Sequence, residues 1–116
     1  MGARSYLVTK HVTEYGGSTF FNYDLESVEE YLSDNDIDVS GWHVGDFCCG
    51  CGYYIEIDAA ESNLQKLREL IDRLREQPDA VSGVDGEINN GYVAEALTYW
   101  LENYDKDNDV IRVEQF

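Results

Sequence analysis

The sequence predicts an α+β fold in which a mainly antiparallel sheet carries helices on one face. Two kinds of segment indicate this fold: β-branched and aromatic stretches separated by glycine-rich turns, and stretches whose aliphatic residues recur every three or four positions. Their order along the chain is ββα-ββα-α-β, which an antiparallel sheet covered on one face accommodates. A chain of 116 residues, 43% of them hydrophobic, is expected to form a single acidic domain over residues 1–116.

The first unit is predicted to be a hairpin followed by a short helix. Asp24 is a typical N-cap residue. Leu25, Val28 and Leu32 follow it at the spacing of one buried helical face. The predicted segments are a strand at residues 5–13, a turn at 14–18, a strand at 19–23 and a helix from Asp24 to about Ser33.

The second unit repeats this arrangement with a longer helix. Asp58 and Glu61 have the spacing of a capping arrangement at the start of that helix, and Pro78 follows its end. Tyr53 and Tyr54 are adjacent in a strand, so only one of them is expected to face the core. The predicted segments are strands at residues 41–49 and 53–57, and a helix whose apolar stripe comprises Leu64, Leu67, Ile71 and Leu74.

The remainder of the chain is predicted to supply a loop, a third helix and a last strand. Residues 79–91 contain three glycines and two asparagines, a composition typical of a loop. A helix over residues 92–104 and a strand over residues 110–116 are expected to follow it. The residues predicted to be buried on this helix are Val93, Leu97, Trp100, Leu101 and Tyr104.

The charge of the chain restricts the kinds of partner it can have. Asp and Glu number 24 against 8 Lys and Arg, which gives a formal net charge of −16. Such a charge repels phosphates, so direct binding to nucleic acid is not expected. No apolar run approaches the roughly 18 residues that a membrane span requires, and no leader-like segment opens the chain. Three cysteines in such a chain fit a reducing compartment better than a disulfide framework, so we expect a cytoplasmic protein that does not enter membranes.

The acidic residues are concentrated in two blocks. Residues 24–40 contain seven acidic residues and no basic one, and residues 79–116 contain nine against two. If the segment after the first helix is extended, Asp34, Asp36 and Asp38 share one face at intervals of about 6.7 Å, near the spacing of every second phosphate of a nucleic-acid strand. The predicted partner-binding residues are Glu26, Glu29, Glu30, Asp34, Asp36 and Asp38, with Asp105, Asp107 and Asp109 as a second patch.

A cysteine-rich turn suggests a different kind of site. Cys48 and Cys51 form a C-x-x-C pair followed by glycine, which is the form of a zinc-binding turn. The chain has one other cysteine, Cys49, and His43 is the nearest histidine, so these four residues are the candidate metal ligands. The second pair of ligands that usually completes such a site is missing from the sequence. The alternative is a tight hairpin whose thiols pack as small hydrophobic side chains.

Motifs of known catalytic chemistry are missing from the sequence. It contains no glycine-rich phosphate loop, no nucleophile elbow and no His-Glu-x-x-His stretch. His11 and His43 both fall in predicted strands, where a partly exposed histidine is ordinary. The sequence therefore predicts a protein that is not an enzyme and that needs no cofactor, unless the cysteine turn binds zinc.

These observations favour a small acidic protein that occupies a basic surface of a partner. The profile resembles that of phage or mobile-element inhibitors of host defence nucleases, and that of immunity proteins against basic nuclease toxins. Opposite electrostatic potentials speed encounter and favour cationic, nucleic-acid-binding partners. The alternatives are a small zinc protein built on the cysteine turn, and a salt-adapted domain with no inhibitory role.

Overall fold

The computed structural model describes residues 4–10, 14–19, 25–44, 52–84 and 88–115. Within these ranges it contains strands and helices in the predicted order ββα-ββα-α-β. Their bounds are β1 (Ser5–Lys10), β2 (Glu14–Thr19), α1 (Leu25–Asp34), β3 (Val39–Val44), β4 (Gly52–Asp58), α2 (Glu61–Glu76), α3 (Asn90–Asn103) and β5 (Val110–Gln115). The α+β prediction is confirmed.

The five strands form one sheet in the order β2-β1-β5-β4-β3, and all four pairings are antiparallel. The two predicted hairpins, β1–β2 and β3–β4, therefore lie on either side of β5, which pairs with β1 and with β4. This arrangement leaves β2 and β3 at the two edges of the sheet.

All three helices pack on one face of the sheet. Alternate residues of a strand point to opposite sides, so only one set of strand residues meets the helices. The odd-numbered residues of β4 and β5 are buried with the apolar stripes of the helices, and Trp100 is the largest side chain that is fully buried. The opposite side, which we call the open face, carries even-numbered residues of these strands. Its members include Tyr6, Trp42, Tyr54, Glu56, Arg112 and Glu114.

The prediction of a turn at residues 14–18 is wrong, because this segment belongs to strand β2. The register of β1 with β2 shifts where Gly16 and Gly17 of β2 lie opposite Leu7 of β1. Two residues facing one is a β-bulge, a common position for glycine within a strand. The remainder of the predicted second strand, residues 20–23, and the predicted N-cap Asp24 lie outside the described residues.

The predicted capping pair of α2 is also wrong. The N-cap of α2 is Ala60, which has no side-chain cap, and Asp58 is the last residue of β4. The buried side chain of Asn63 instead makes the hydrogen bonds that position the start of α2. Its amide group donates to the backbone oxygens of Asp38 at 3.1 Å and Asp58 at 2.6 Å, and its oxygen accepts from the Asp38 N–H at 2.8 Å. Asn63 therefore joins the start of α2 to the neighbouring ends of β3 and β4.

The third helix differs from its prediction only in detail. It begins two residues earlier than predicted, with the Asn89 side chain accepting a hydrogen bond from the Tyr92 N–H at 2.8 Å. Leu101 and Tyr104 are partly buried rather than buried. No helix in the described part of the chain is both long enough and apolar enough to cross a bilayer.

Candidate functional site

Helix α1 carries exposed carboxylates along its outer side. Leu25, Val28 and Leu32 are fully buried, which fixes the orientation of the helix on the sheet. Glu26, Glu30 and Asp34 are exposed, and they recur every four residues. We call these three residues the acidic row. Successive members are about 6 Å apart along the helix axis, at 1.5 Å per residue.

The segment after α1 is not the extended ladder that the sequence predicted. Asp34 is the last residue of the helix, and Asp36 has a positive φ of 64°. The N–H of Ile37 donates to the Leu32 carbonyl and that of Asp36 to the Ser33 carbonyl, both at 3.1 Å. These two bonds form a Schellman motif with Asp36 at the left-handed position. The three aspartates are all exposed, but they surround a helix end instead of sharing one face of a strand.

Glu29, another predicted partner-binding residue, is held by the sheet. Its Oε1 accepts a short hydrogen bond from the Tyr53 hydroxyl. Both groups lie directly over Gly41 of β3, where an added Cβ atom would be 2.7 Å from Cζ of Tyr53. A larger residue at position 41 would therefore displace the Tyr53 hydroxyl or the Glu29 carboxylate, which lie together above the edge strand of the sheet.

The Asp34 end of the acidic row is bordered by charged residues of both signs on α2. Lys66, Glu69 and Arg73 line a pocket of about 370 Å³ together with residues 34–36. Nη2 of Arg73 lies 3.4 Å from Oδ1 of Asn35. Burial raises the pKa of the nearby Tyr31 phenol, and attraction to Arg73 partly offsets this effect. Lys66 and Arg73 therefore place two positive charges beside the Asp34 end of the acidic row.

The second predicted patch has a largely local role. Asp105 accepts hydrogen bonds from the Asp107 N–H at 3.1 Å and from the Asn108 side chain at 2.8 Å. These bonds order the loop between α3 and β5, as aspartates commonly do in turns. Asp107 and Asp109 are exposed, while Asp105 is only partly so. The first block, whose six described carboxylates lie on and around one helix, is therefore the stronger candidate for an interface.

The open face carries an aromatic and charged cluster that sequence reasoning did not assemble. Trp42 stacks on Tyr54 with ring centroids 5.0 Å apart, and Trp42 is 44% exposed. The Arg112 guanidinium lies 3.9 Å from the centre of the Tyr54 ring. Arg112 also forms ion pairs with Glu56 at 3.0 Å and Glu114 at 2.8 Å.

The electrostatics of this cluster keep Arg112 charged. Burial lowers the pKa of Arg112, but hydrogen bonds and attraction to Glu114 and Glu56 outweigh it, so the pKa is raised above its ordinary value. The Trp42 indole and the Arg112 guanidinium both pack against the Tyr54 ring. The sequence did contain a signal for this: Tyr53 and Tyr54 are on opposite sides of β4 as predicted, with Tyr53 buried and Tyr54 on the open face.

The metal-site prediction concerns mostly residues outside the described ranges, because Cys48, Cys49 and Cys51 lie between β3 and β4. His43 is exposed at the end of β3, and its ring meets Tyr53 edge-on at 4.8 Å. Within the described ranges no group of three or more histidine, cysteine or acidic side chains is arranged to hold a metal ion. His11 also lies outside these ranges. The zinc alternative remains a prediction.

None of the protein-family models, curated proteins or solved structures compared with this chain matches it.

Proposed function

We propose that this protein binds a basic surface of a partner protein, of the type that contacts nucleic acid, and inhibits the partner by covering that surface. The observation that supports the proposal is the acidic row of Glu26, Glu30 and Asp34 on a helix without any basic residue. In this proposal the protein is encoded by a phage or mobile element, and the partner is a host defence nuclease.

The helix dipole favours Glu26 in the first turn of α1, but Glu30 and Asp34 of the acidic row are unfavourable for this helix. Like charges four residues apart destabilise a helix by a few tenths of a kcal/mol per pair, and an acid in the last turn opposes the helix dipole. Both α1 and α2 have an acid in the first turn, Glu26 and Glu61, but of these two helices only α2 has basic residues, Arg73 and Arg75, in its last turn. Selection for binding to a cationic partner accounts for carboxylates at positions where helix stability disfavours them.

The spacing of the row suits competition with nucleic acid. Carboxylates about 6 Å apart along α1 approximate every second phosphate of a strand, whose charges are about 3.4 Å apart along the axis. The regular spacing of carboxylates that was expected from an extended segment after α1 is thus provided by the helix itself. A matched pattern of charge also accelerates association with a basic partner at low salt.

The proposal is tested by partner capture with two variants of equal charge. The first, Glu26→Gln/Glu30→Gln/Asp34→Asn, neutralises the acidic row. The second, Asp72→Asn/Glu76→Gln/Glu95→Gln, neutralises three exposed acids of α2 and α3. Native protein immobilised in a nuclease-treated host lysate is expected to retain a basic nucleic-acid-binding protein that added DNA displaces. The first variant should lose this retention and the second should keep it.

Other outcomes contradict the proposal in distinguishable ways. Equal loss in both variants would show that total charge, and not the acidic row, drives the association. Retention that DNA does not displace would indicate inhibition at another surface of the partner. If nothing cationic is retained, the charge reflects salt adaptation, and stability should then rise steeply as molar salt screens the net charge of −16.

A further inference from the structure

Among the described strands, β3 is an edge strand of the sheet, with one row of its backbone N–H and C=O groups directed away from β4. The Asp58 N–H donates to the Asp38 carbonyl at 3.0 Å, in register with the pairing of Val39 with Ile57. Hydrogen-bonded positions alternate along an antiparallel pair, so even-numbered residues of β3 bond to β4. The N–H and C=O groups of Val39, Gly41 and His43 therefore point away from the sheet, and no described strand lies beside them.

This edge is regular, whereas the opposite edge is not. Six consecutive residues of β3 pair with β4 without a register shift. Strand β2 has a β-bulge and a second shift in its pairing with β1. Irregular edges resist the addition of another strand, and a regular edge without proline or lysine accepts one. β3 contains neither residue.

Both sides of the β3 edge favour a cationic neighbour. On the open face, Trp42 presents an exposed indole, the side chain that attracts Lys and Arg most strongly through its π system. On the helix side, the Glu29 carboxylate lies directly over Gly41. Side chains of an added strand would alternate between these two surfaces, because successive residues point to opposite faces.

We propose that an extended, Lys- or Arg-containing segment of the partner adds to β3 as a sixth strand. Backbone hydrogen bonds to Val39, Gly41 and His43 supply the attachment, and Trp42 and Glu29 select cationic side chains. This inference rests on the proposed function, since it specifies how the basic partner is held. A second copy of this chain is a poorer occupant, because its own β3 edge carries the same carboxylate and the chain has a net charge of −16.

The test uses a synthetic ten-residue peptide of alternating lysine and threonine, and the same peptide with N-methylated backbone amides. Two full-length variants accompany the native protein. His43→Pro removes one outward N–H at a position where an edge strand tolerates proline. His43→Ala is the matched control, because it removes the imidazole ring and keeps the N–H. Affinities are measured by titration calorimetry at low salt, after circular dichroism has established that each variant is folded.

We expect N-methylation of the peptide, and His43→Pro in the protein, each to weaken binding at least about tenfold, since backbone hydrogen bonds are lost. His43→Ala should change the affinity by less than about threefold, because no backbone group is removed. If His43→Pro fails to fold, the N-methylated peptide decides the question alone, because it leaves the protein unchanged.

Four results would overturn the inference, and only the last of them also overturns the proposed function. Equal affinity for both peptides would show that charge alone binds them, which refutes strand addition and leaves the proposed function intact. Absence of peptide binding, while basic proteins are still retained from lysate, would also refute strand addition and leave the proposed function intact. Concentration-dependent self-association that His43→Pro abolishes would show that a second copy occupies the edge. If neither the peptide nor any basic protein binds, the proposed function itself fails.

Discussion

Replacing Asp36 with glycine is expected to stabilise the protein. Asp36 occupies the left-handed position of the Schellman motif that ends α1, with φ 64°. A residue with a Cβ atom pays about 1–2 kcal/mol in this conformation, and aspartate somewhat less than most because its side chain can bond locally. Glycine adopts this conformation without strain, but its greater loss of backbone entropy on folding costs about 0.5–1 kcal/mol of free energy.

The charge of Asp36 adds to the expected gain. A carboxylate next to a helix C-terminus opposes the helix dipole at a cost of about 0.3–1 kcal/mol. Asp36→Gly should therefore increase the free energy of unfolding by about 0.5–1 kcal/mol. For a domain of this size that is an increase in Tm of roughly 2–5 °C.

Two further variants separate conformation from charge. Asp36→Asn removes the charge and retains tolerance of positive φ, so it should stabilise by a few tenths of a kcal/mol. Asp36→Ala removes the same charge but lacks that tolerance, so it should be about 1 kcal/mol less stable than Asp36→Gly. Urea unfolding followed by circular dichroism measures all three. Equal stability of the alanine and glycine variants would refute the assignment of backbone strain to Asp36.

Three other perturbations test the contacts that join the layers. Asn63→Ala should destabilise by roughly 2–4 kcal/mol in urea unfolding, because buried backbone groups lose their partners, and a loss below about 1 kcal/mol would contradict the joining role. Gln115→Ala should lower the free energy of unfolding by roughly 1–2 kcal/mol, since the Gln115 side chain accepts a hydrogen bond from the buried Leu25 N–H at 2.7 Å. An unchanged melting temperature would refute this capping role. Burial raises the pKa of Tyr31 from its ordinary 10.0, so the neutral phenol is favoured in the folded state. The stabilisation from the neutral Tyr31 phenol is therefore fully present below pH 10, where the phenol is also neutral in the unfolded chain. It is lost as the pH rises from 10 through the raised pKa of the folded protein. Tyr31→Phe should therefore show a shallower alkaline loss of stability than native protein, and parallel profiles would refute this contribution.

The order of elements was predictable because each helix and strand is determined mainly by its own residues. The 3.6-residue spacing of Leu25, Val28 and Leu32 located α1, and the same periodicity located α2. Strand order was not predictable in this way. The pairing of β5 with both hairpins depends on contacts between segments far apart in the chain.

The errors arose where one residue type serves two structures. Gly16 and Gly17 suggested a turn, but glycine also occupies β-bulges, and the pairing of β1 with β2 decided between them. Asp36 suggested a regular extended run, but its left-handed φ follows from the burial of Leu32 and Ile37 on either side of the helix end. Such tertiary contacts are not visible in local spacing.

The candidate site was predictable in its charge and not in its shape. Segment charge identified the carboxylates around α1, because charge needs no knowledge of the fold. The β3 edge was missed, since the exposure of Trp42 and the outward N–H of His43 depend on the strand order, in which β3 pairs with β4 and with no other described strand. A tryptophan next to a glycine in a short strand was the only local signal.

The position of β5 in the middle of the sheet has a consequence for biosynthesis. The strand that joins the two hairpins leaves the ribosome after every other described element, so the earlier hairpins must wait for it before one sheet can form. During that interval the inner edges of β1 and β4 are both unpaired, and both are competent to pair with other chains. The net charge of −16 disfavours such pairing between copies of this chain before Val110–Gln115 is in place, because like charges repel.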